Sequence, residues 1–252
     1  MKKVSQCLIL AAGNGTRIRS ISGGLPKPLV DFRGKPILEH IITRAHQAGV
    51  DRFVIVVGYR SDLIRSWLNG RSFGVSVTFV ENPDYHKANG ISALKARDEI
   101  HENFLLLMAD HVFEPETARM LLTQPVAPGE VILAVDPEID RIFDLDDATK
   151  VRRQGDHIVD IGKEIAHYDA LDTGMFLCSP ALFDRLESAI KDGNCSLSDG
   201  MRQLVAERRL RALEIGDGQW QDLDTPEALA HAECVFDGYL NNAPILESVA
   251  HV

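Results

Sequence analysis

Short apolar runs alternate with segments of helical spacing along the first half of the chain. Val4–Leu10, Arg52–Val57, Val75–Val80, Phe104–Met108 and Val131–Val135 read as buried strands. Between them, Ile37–Ala48 carries apolar residues at Ile37, Leu38, Ile41, Ile42 and Ala45, one face of a helix. Ser61–Leu68, with Ser61 as N-cap, Asn89–Glu99 and Glu114–Thr123 supply three more helices. Strand-helix alternation with short connections predicts an α/β fold with a mostly parallel sheet covered on both faces. The pattern breaks after Asp136. Residues 136–170 are polar and charged and do not fit the sheet pattern. Lys150–Arg153 and His157–Ile161 flank the turn Gln154-Gly155-Asp156 and predict a β-hairpin. Leu171–Cys178 and Leu210–Glu214 are further strands, and Ala181–Lys191 and Ser198–Arg208 further helices. Thr225 caps a terminal helix over Thr225–Val235, with Pro226 at its first position. The reading is one domain over residues 1–240, with an insertion at about 136–170 and a patternless tail at 241–252.

Charge narrows the range of partners. The net charge of −10 and pI of about 5.4 argue against nucleic acid. Residues 13–35 run against that background: Arg17, Arg19, Lys27, Arg33 and Lys35 stand there with Asp31 as the only acid. A cationic patch on an acidic chain suits a small anionic ligand, although Arg19, Arg33 and Lys35 also fit a solvated face. Cys7, Cys178, Cys195 and Cys234 are far apart and form no Cys-x-x-Cys pair, so neither a zinc site nor a disulfide framework is expected. No signal peptide and no membrane-length apolar run is visible. The expected protein is cytoplasmic and not membrane-embedded.

The candidate chemistry begins where the first strand ends. Leu10-Ala11-Ala12-Gly13-Asn14-Gly15-Thr16-Arg17 is a strand followed by a glycine-rich turn, and Pro26-Lys27-Pro28-Leu29 follows. Gly13 and Gly15 let the backbone turn tightly and present N–H groups to phosphates. Arg17 and Lys27 supply the positive charge a triphosphate needs. A dinucleotide-binding loop would need a third glycine where Ile18 stands, and Pro26-Lys27-Pro28 breaks the crossover helix it requires. Asp110 follows a strand at the carboxyl end, where open sheets bind ligands, and can hold Mg²⁺ against triphosphate oxygens. The alternative is that it caps the next helix. Asp222 and Asp224 alternate onto one side of an extended segment, and Asp224 could serve only the cap of the terminal helix.

These residues carry a resemblance. The chain resembles the sugar-nucleotide pyrophosphorylase type of nucleotidyltransferase, and more closely the CTP:inositol-1-phosphate cytidylyltransferases. The shared elements are the Leu10–Arg17 loop, Pro26-Lys27-Pro28-Leu29, Asn89-Gly90-x-Ser92 and Asp110-His111-Val112. They continue with Ala148-Thr149-Lys150, Ile161-Gly162-Lys163, Asp172-Thr173-Gly174 and Trp220-x-Asp222-x-Asp224-Thr225. They keep the family's order over nearly the whole chain. Ala109 stands where that branch commonly has glycine. Bifunctional members also carry a membrane-embedded synthase half, for which these residues show no counterpart.

The resemblance implies a single Rossmann-like nucleotidyltransferase domain with a mostly parallel mixed sheet and a hairpin insertion at the acceptor site. It implies Mg²⁺-dependent transfer of a nucleotidyl group from CTP, or another NTP, to a phosphate monoester such as inositol 1-phosphate. Leu10, Ala11, Ala12, Gly13, Gly15, Thr16, Asn89, Gly90 and Ser92 would hold the nucleotide. Arg17 and Lys27 would act on the transferring phosphorus. Asp110 and Asp222 would bind the metal. Lys163 would meet the acceptor phosphate, with Asp172, Thr173 and Gly174 beside it. His111 could orient Asp110, touch the acceptor or be merely buried. Uridylyl or guanylyl transfer, another polyol, sugar or amino-alcohol phosphate as acceptor, a nicotinamide-dependent oxidoreductase, and a non-catalytic nucleotide-sensing domain are the alternatives. A hydroxyl-rich acceptor suits the insertion better than a quaternary amine, because Tyr168 and Phe143 are its only Tyr, Trp or Phe residues.

Overall fold

The computed structural model describes residues 4–236; the expected tail at 241–252 lies outside them. In chain order the strands are β1 (Gln6–Ala11), β2 (Asp31–Phe32), β3 (Lys35–Pro36), β4 (Arg52–Val57), β5 (Ser76–Glu81), β6 (Phe104–Met108) and β7 (His111–Phe113). They continue with β8 (Val131–Asp136), β9 (Lys150–Gln154), β10 (His157–Gly162), β11 (Ala170–Cys178), β12 (Leu210–Glu214) and β13 (Trp220–Asp222). The helices are α1 (Ile37–Ala48), α2 (Ser61–Leu68), α3 (Asn89–Lys95), α4 (Pro115–Leu122), α5 (Leu182–Ser188), α6 (Leu197–Ala206) and α7 (Pro226–Val235).

The main sheet has the order β5-β4-β1-β6-β11-β8-β12-β10-β9. β5, β4, β1 and β6 are parallel, as are β8 and β12. β11 runs antiparallel between β6 and β8, and the β9–β10 hairpin closes one side of the sheet. The sheet is therefore mixed. Alternation along β1 explains the two cores. Cys7, Ile9 and Ala11 face the layer containing α1, α2 and α4, while Leu8 and Leu10 face the layer containing α3, α5 and α6.

Two local expectations change. Ser61 is not an N-cap: Arg60 takes that position in a left-handed conformation (φ 50°), and no side chain caps α2. The hairpin is part of the main sheet, through β9 to β11 and β10 to β12. Its polar sequence reflects half-exposed strands at a sheet margin. Thr225 does cap α7, accepting a hydrogen bond from the Ala228 N–H at 3.1 Å.

The topology gathers the site at one end of the sheet. β1 and β6 are parallel neighbours, with Leu10 opposite Met108, so the loops after Ala11 and Met108 emerge side by side. β11 is antiparallel, so its beginning lies at that same end: Asp172 is opposite Val135 and Met175 opposite Leu107. A separate antiparallel pair, β7 with β13, sets Asp222 opposite His111, and the Leu223 N–H donates to the Asp110 carbonyl at 2.9 Å.

Candidate active site

Two adjoining cavities open at this end. The first, about 250 Å³, is lined by Leu10, Ala11, Ala12, Gly13, Asn14, Gly15, Thr16, Arg17, Lys27, Asn89 and Ser92, among others. The second, about 310 Å³, is lined by Lys163, Asp172, Gly174, His111, Asp222 and the loop residues Asp144 and Asp147. Arg17, Asn89, Met108, Asp110 and Asp224 belong to both walls.

Lys27 stands at the junction. A short 3₁₀ turn over Lys27–Leu29, preceded by Pro26, fixes its backbone. Its side chain is only 7 % exposed and faces three carboxylates. Nζ is 3.0 Å from Asp110 Oδ2 and 3.7 Å from Asp222 Oδ1, and it forms an ion pair with Asp224. Arg17 pairs with Asp224 and with Asp147, and Asp147 also pairs with Lys163. Gly15 makes this packing possible. It has φ +54°, and an added Cβ would lie 2.7 Å from Lys27 Cβ. The close approach that requires glycine at position 15 is to Lys27.

His111 Nδ1 donates to Asp110 Oδ1 at 2.6 Å, and its ring stacks on Trp220 with centroids 5.9 Å apart. Of the roles open to it, orientation of Asp110 is met, and it also lines the second cavity. Burial pushes the Asp110 carboxyl up, but the charges of Lys27 and His111 outweigh it and hold the group well below the usual carboxylate range. Burial lowers His111, yet the Asp110 charge and hydrogen bond raise it overall. Asp222 is raised, chiefly by burial. Its Oδ1 is buried and accepts no hydrogen bond. A buried carboxylate oxygen with no donor, beside Asp110, fits a cation ligand. Asp110 is not a helix cap, because its carboxylate is taken by Lys27 and His111.

Two expected residues face elsewhere. Thr173 is fully buried, and its hydroxyl donates to the Ala134 carbonyl at 2.8 Å. It holds β11 to β8 and does not line the acceptor cavity, because alternation along the strand turns it from its neighbours. Gly90 packs against Cys195, where an added Cβ would lie 2.7 Å from the carbonyl oxygen, and lines neither cavity. Asn89 is oriented through its Oδ1, which accepts from the Leu197 N–H at 2.8 Å. The Ser92 hydroxyl accepts from Asn82 Nδ2 at 2.9 Å. Asp172 accepts from the Gly174 N–H at 2.7 Å, and burial pushes its carboxyl up to about 6.

Sequence reasoning missed Asp147, Asp144, Tyr85 and Lys87 on the cavity walls. Tyr85 and Lys87 had a usable signal, since they follow the carboxyl end of β5 in the parallel half of the sheet. Asp144 and Asp147 had none beyond a run of acids.

The sequence profile of the MobA-like NTP transferase domain matches residues 7–212. A protein of Rubrobacter xylanophilus named bifunctional IPC transferase and DIPP synthase is 35 % identical, over 94 % of this chain and 54 % of its own length. One of the same name from Archaeoglobus fulgidus is 31 % identical, over 91 % of this chain and 43 % of its own. The chain thus spans about half the length of these curated relatives. A solved inositol-1-phosphate CTP transferase from T. maritima is 28 % identical, with a TM-score of 0.80 over 92 % of this chain and 97 % of that one. No described helix is long and apolar enough to cross a membrane.

Proposed function

This chain belongs to the MobA-like NTP transferase family, and from that premise we propose that it transfers CMP from CTP to inositol 1-phosphate and releases pyrophosphate. One observation carries the reading: two cavities share a wall made of Arg17, Asn89, Met108, Asp110 and Asp224. A donor and an acceptor seated in them would meet across that wall.

The nucleotide occupies the cavity of the Leu10–Arg17 loop, with its phosphates toward Arg17 and Lys27. The acceptor phosphate occupies the other cavity, beside Lys163. An oxygen of the acceptor monoester attacks the α-phosphorus in line. The bond from that phosphorus to the bridging oxygen of the β-phosphate breaks, and pyrophosphate leaves with the electron pair. The attacking oxygen is already anionic near neutral pH, so no general base is required. The obstacle is repulsion between two anions. Arg17, Lys27 and Lys163 offset it, and holding both reactants in line removes most of the entropic cost. Asp110 and Asp222, with Asp224 alongside, would hold Mg²⁺, which neutralises triphosphate oxygens as charge shifts to the leaving group.

The acceptor class follows from the lining. Asp144, Thr149, Asp172 and Ser198 offer groups that read hydroxyls. Trp220 and Phe176 are the aromatic residues on this wall besides His111, and Trp220 is stacked on that histidine. A quaternary ammonium would call for a fuller aromatic cage. Four unpaired cysteines support a reducing cytoplasm as the compartment.

The test is pyrophosphate release with CTP, UTP and GTP against inositol 1-phosphate, glucose 1-phosphate and phosphocholine. CTP with inositol 1-phosphate should lead, and exceed phosphocholine by at least about tenfold in kcat/KM, roughly 1.4 kcal/mol in transition-state binding. Faster turnover of phosphocholine would overturn the acceptor assignment. Absence of pyrophosphate with every pair would overturn the reaction.

A further inference from the structure

The cations assigned to the two substrates are joined to each other by one carboxylate. Asp147 pairs through Oδ2 with Arg17, on the wall between the cavities, and through Oδ1 with Lys163, in the acceptor cavity. Both cations are about half exposed, at 48 % and 50 % for their side chains, so each is open to an incoming anion. The carboxylate is held in place by its own loop. The Asp147 N–H donates to Asp144 Oδ1 at 3.4 Å, and the Ala148 N–H donates to the Asp144 carbonyl at 3.2 Å. Lys150 Nζ adds a hydrogen bond to the Asp146 carbonyl at 3.2 Å. This loop joins β8 to β9, and Asp147, near its β9 end, lines the acceptor cavity.

We propose that Asp147 is a positioning residue that stands in for substrate phosphate between the two subsites and makes nucleotide binding promote acceptor binding. The inference rests on the functional reading above, in which Arg17 meets the triphosphate and Lys163 the acceptor phosphate. A triphosphate drawn to Arg17 competes directly with Asp147. It also brings several negative charges close to the carboxylate, and like charges repel strongly where water is partly excluded. Asp147 is then expelled from Arg17, and the same movement withdraws it from Lys163. Lys163 is left unpaired at the moment the acceptor phosphate is needed. Before the nucleotide arrives, Asp147 both neutralises Lys163 and repels the acceptor. By linkage, the acceptor must strengthen nucleotide binding by the same factor.

The experiment is calorimetric titration of the full chain with inositol 1-phosphate, with and without a CTP analogue whose α,β-bridge is non-hydrolysable. Inorganic phosphate serves as a second probe. Wild-type protein should bind inositol 1-phosphate at least about fivefold more tightly with the analogue present. Asp147→Asn should bind it at least about fivefold more tightly than wild type in the absence of nucleotide, and the analogue should then add less than about twofold. Asp147→Glu, which restores the charge, should restore the coupling. A residue that only supports the loop would not raise affinity when substituted. The proposal is overturned if Asp147→Asn binds neither inositol 1-phosphate nor inorganic phosphate better than wild type, or if the coupling persists in that variant. Inorganic phosphate keeps this outcome separate from the choice of acceptor. If phosphate shows the gain in Asp147→Asn and inositol 1-phosphate does not, the clasp stands and the acceptor assignment falls.

Discussion

Lys27 is the residue on which most of the site's electrostatics turns. Lys27, nearly buried, faces Asp110, Asp222 and Asp224, and even with Arg17 at Asp224 carboxylates outnumber the Lys and Arg cations where the two cavities meet. That surplus suits a divalent cation more than a second lysine, because Asp222 Oδ1 still lacks a donor. Asp110→Asn removes a ligand and weakens the hold on Lys27 and His111 together. Turnover should fall below a tenth of wild type with the fold retained by circular dichroism. A loss of less than about tenfold, ~1.4 kcal/mol of barrier, would remove Asp110 from the metal role. Gly15→Val tests the packing beneath Lys27. The substitution is strained at φ +54° and drives a Cβ into the lysine. CTP affinity should drop by at least about tenfold, ~1.4 kcal/mol; calorimetry on a folded variant with unchanged affinity would contradict this placement. At this scale the cluster was legible, because Arg17, Lys27, Asp110 and Asp222, which the fold brings together, each sit in a short sequence motif. Asp147 was not, since one acid among Asp144, Asp146 and Asp147 has no signature until the loop is folded over the site.

Long elements were legible and short ones were not. α1, β4 and β6 have the bounds that periodicity assigned them, because each carries enough apolar residues to fix its face. β7 and β13 have three residues each and lie more than a hundred positions apart. No local pattern can announce such a pair, yet it sets Asp222 beside Asp110. β11 adds the other unannounced feature. Its register shifts between Asp172 and Phe176, and Gly174 at φ +74° leaves room for the His111 ring. An alanine there would place Cβ 2.8 Å from His111 Cδ2. Gly174→Ala should therefore displace the imidazole and loosen Asp110, lowering kcat at least about fivefold while the CTP Kd shifts by less than about twofold. Equal losses in both would mean that β11 positions the nucleotide.

The molecule as a whole is acidic, and four of its cations, Arg17, Lys27, Lys87 and Lys163, line the cleft at the carboxyl ends of β1 and β6. The division of that cleft into two cavities predicts separable substrates. Lys163→Ala should raise the KM for inositol 1-phosphate by at least about tenfold and leave CTP binding within about twofold, because Lys163 lines only the second cavity. A larger effect on CTP would move Lys163 to the nucleotide. The overall α/β architecture was legible from alternation, whereas the β9–β10 strands were read as lying outside the sheet, because their exposed sides keep them polar. In the proposed reaction the two cavities bring a phosphate monoester onto an α-phosphorus. Phosphorus NMR of CTP and inositol 1-phosphate mixed with the enzyme and Mg²⁺ observes that event directly. A coupled pair of diphosphate resonances from a new P–O–P linkage should appear, with pyrophosphate in equal amount, and both should be lost in Asp222→Asn. Appearance of CMP with no diphosphate product, or an unchanged spectrum from the folded wild-type protein, would contradict that reaction.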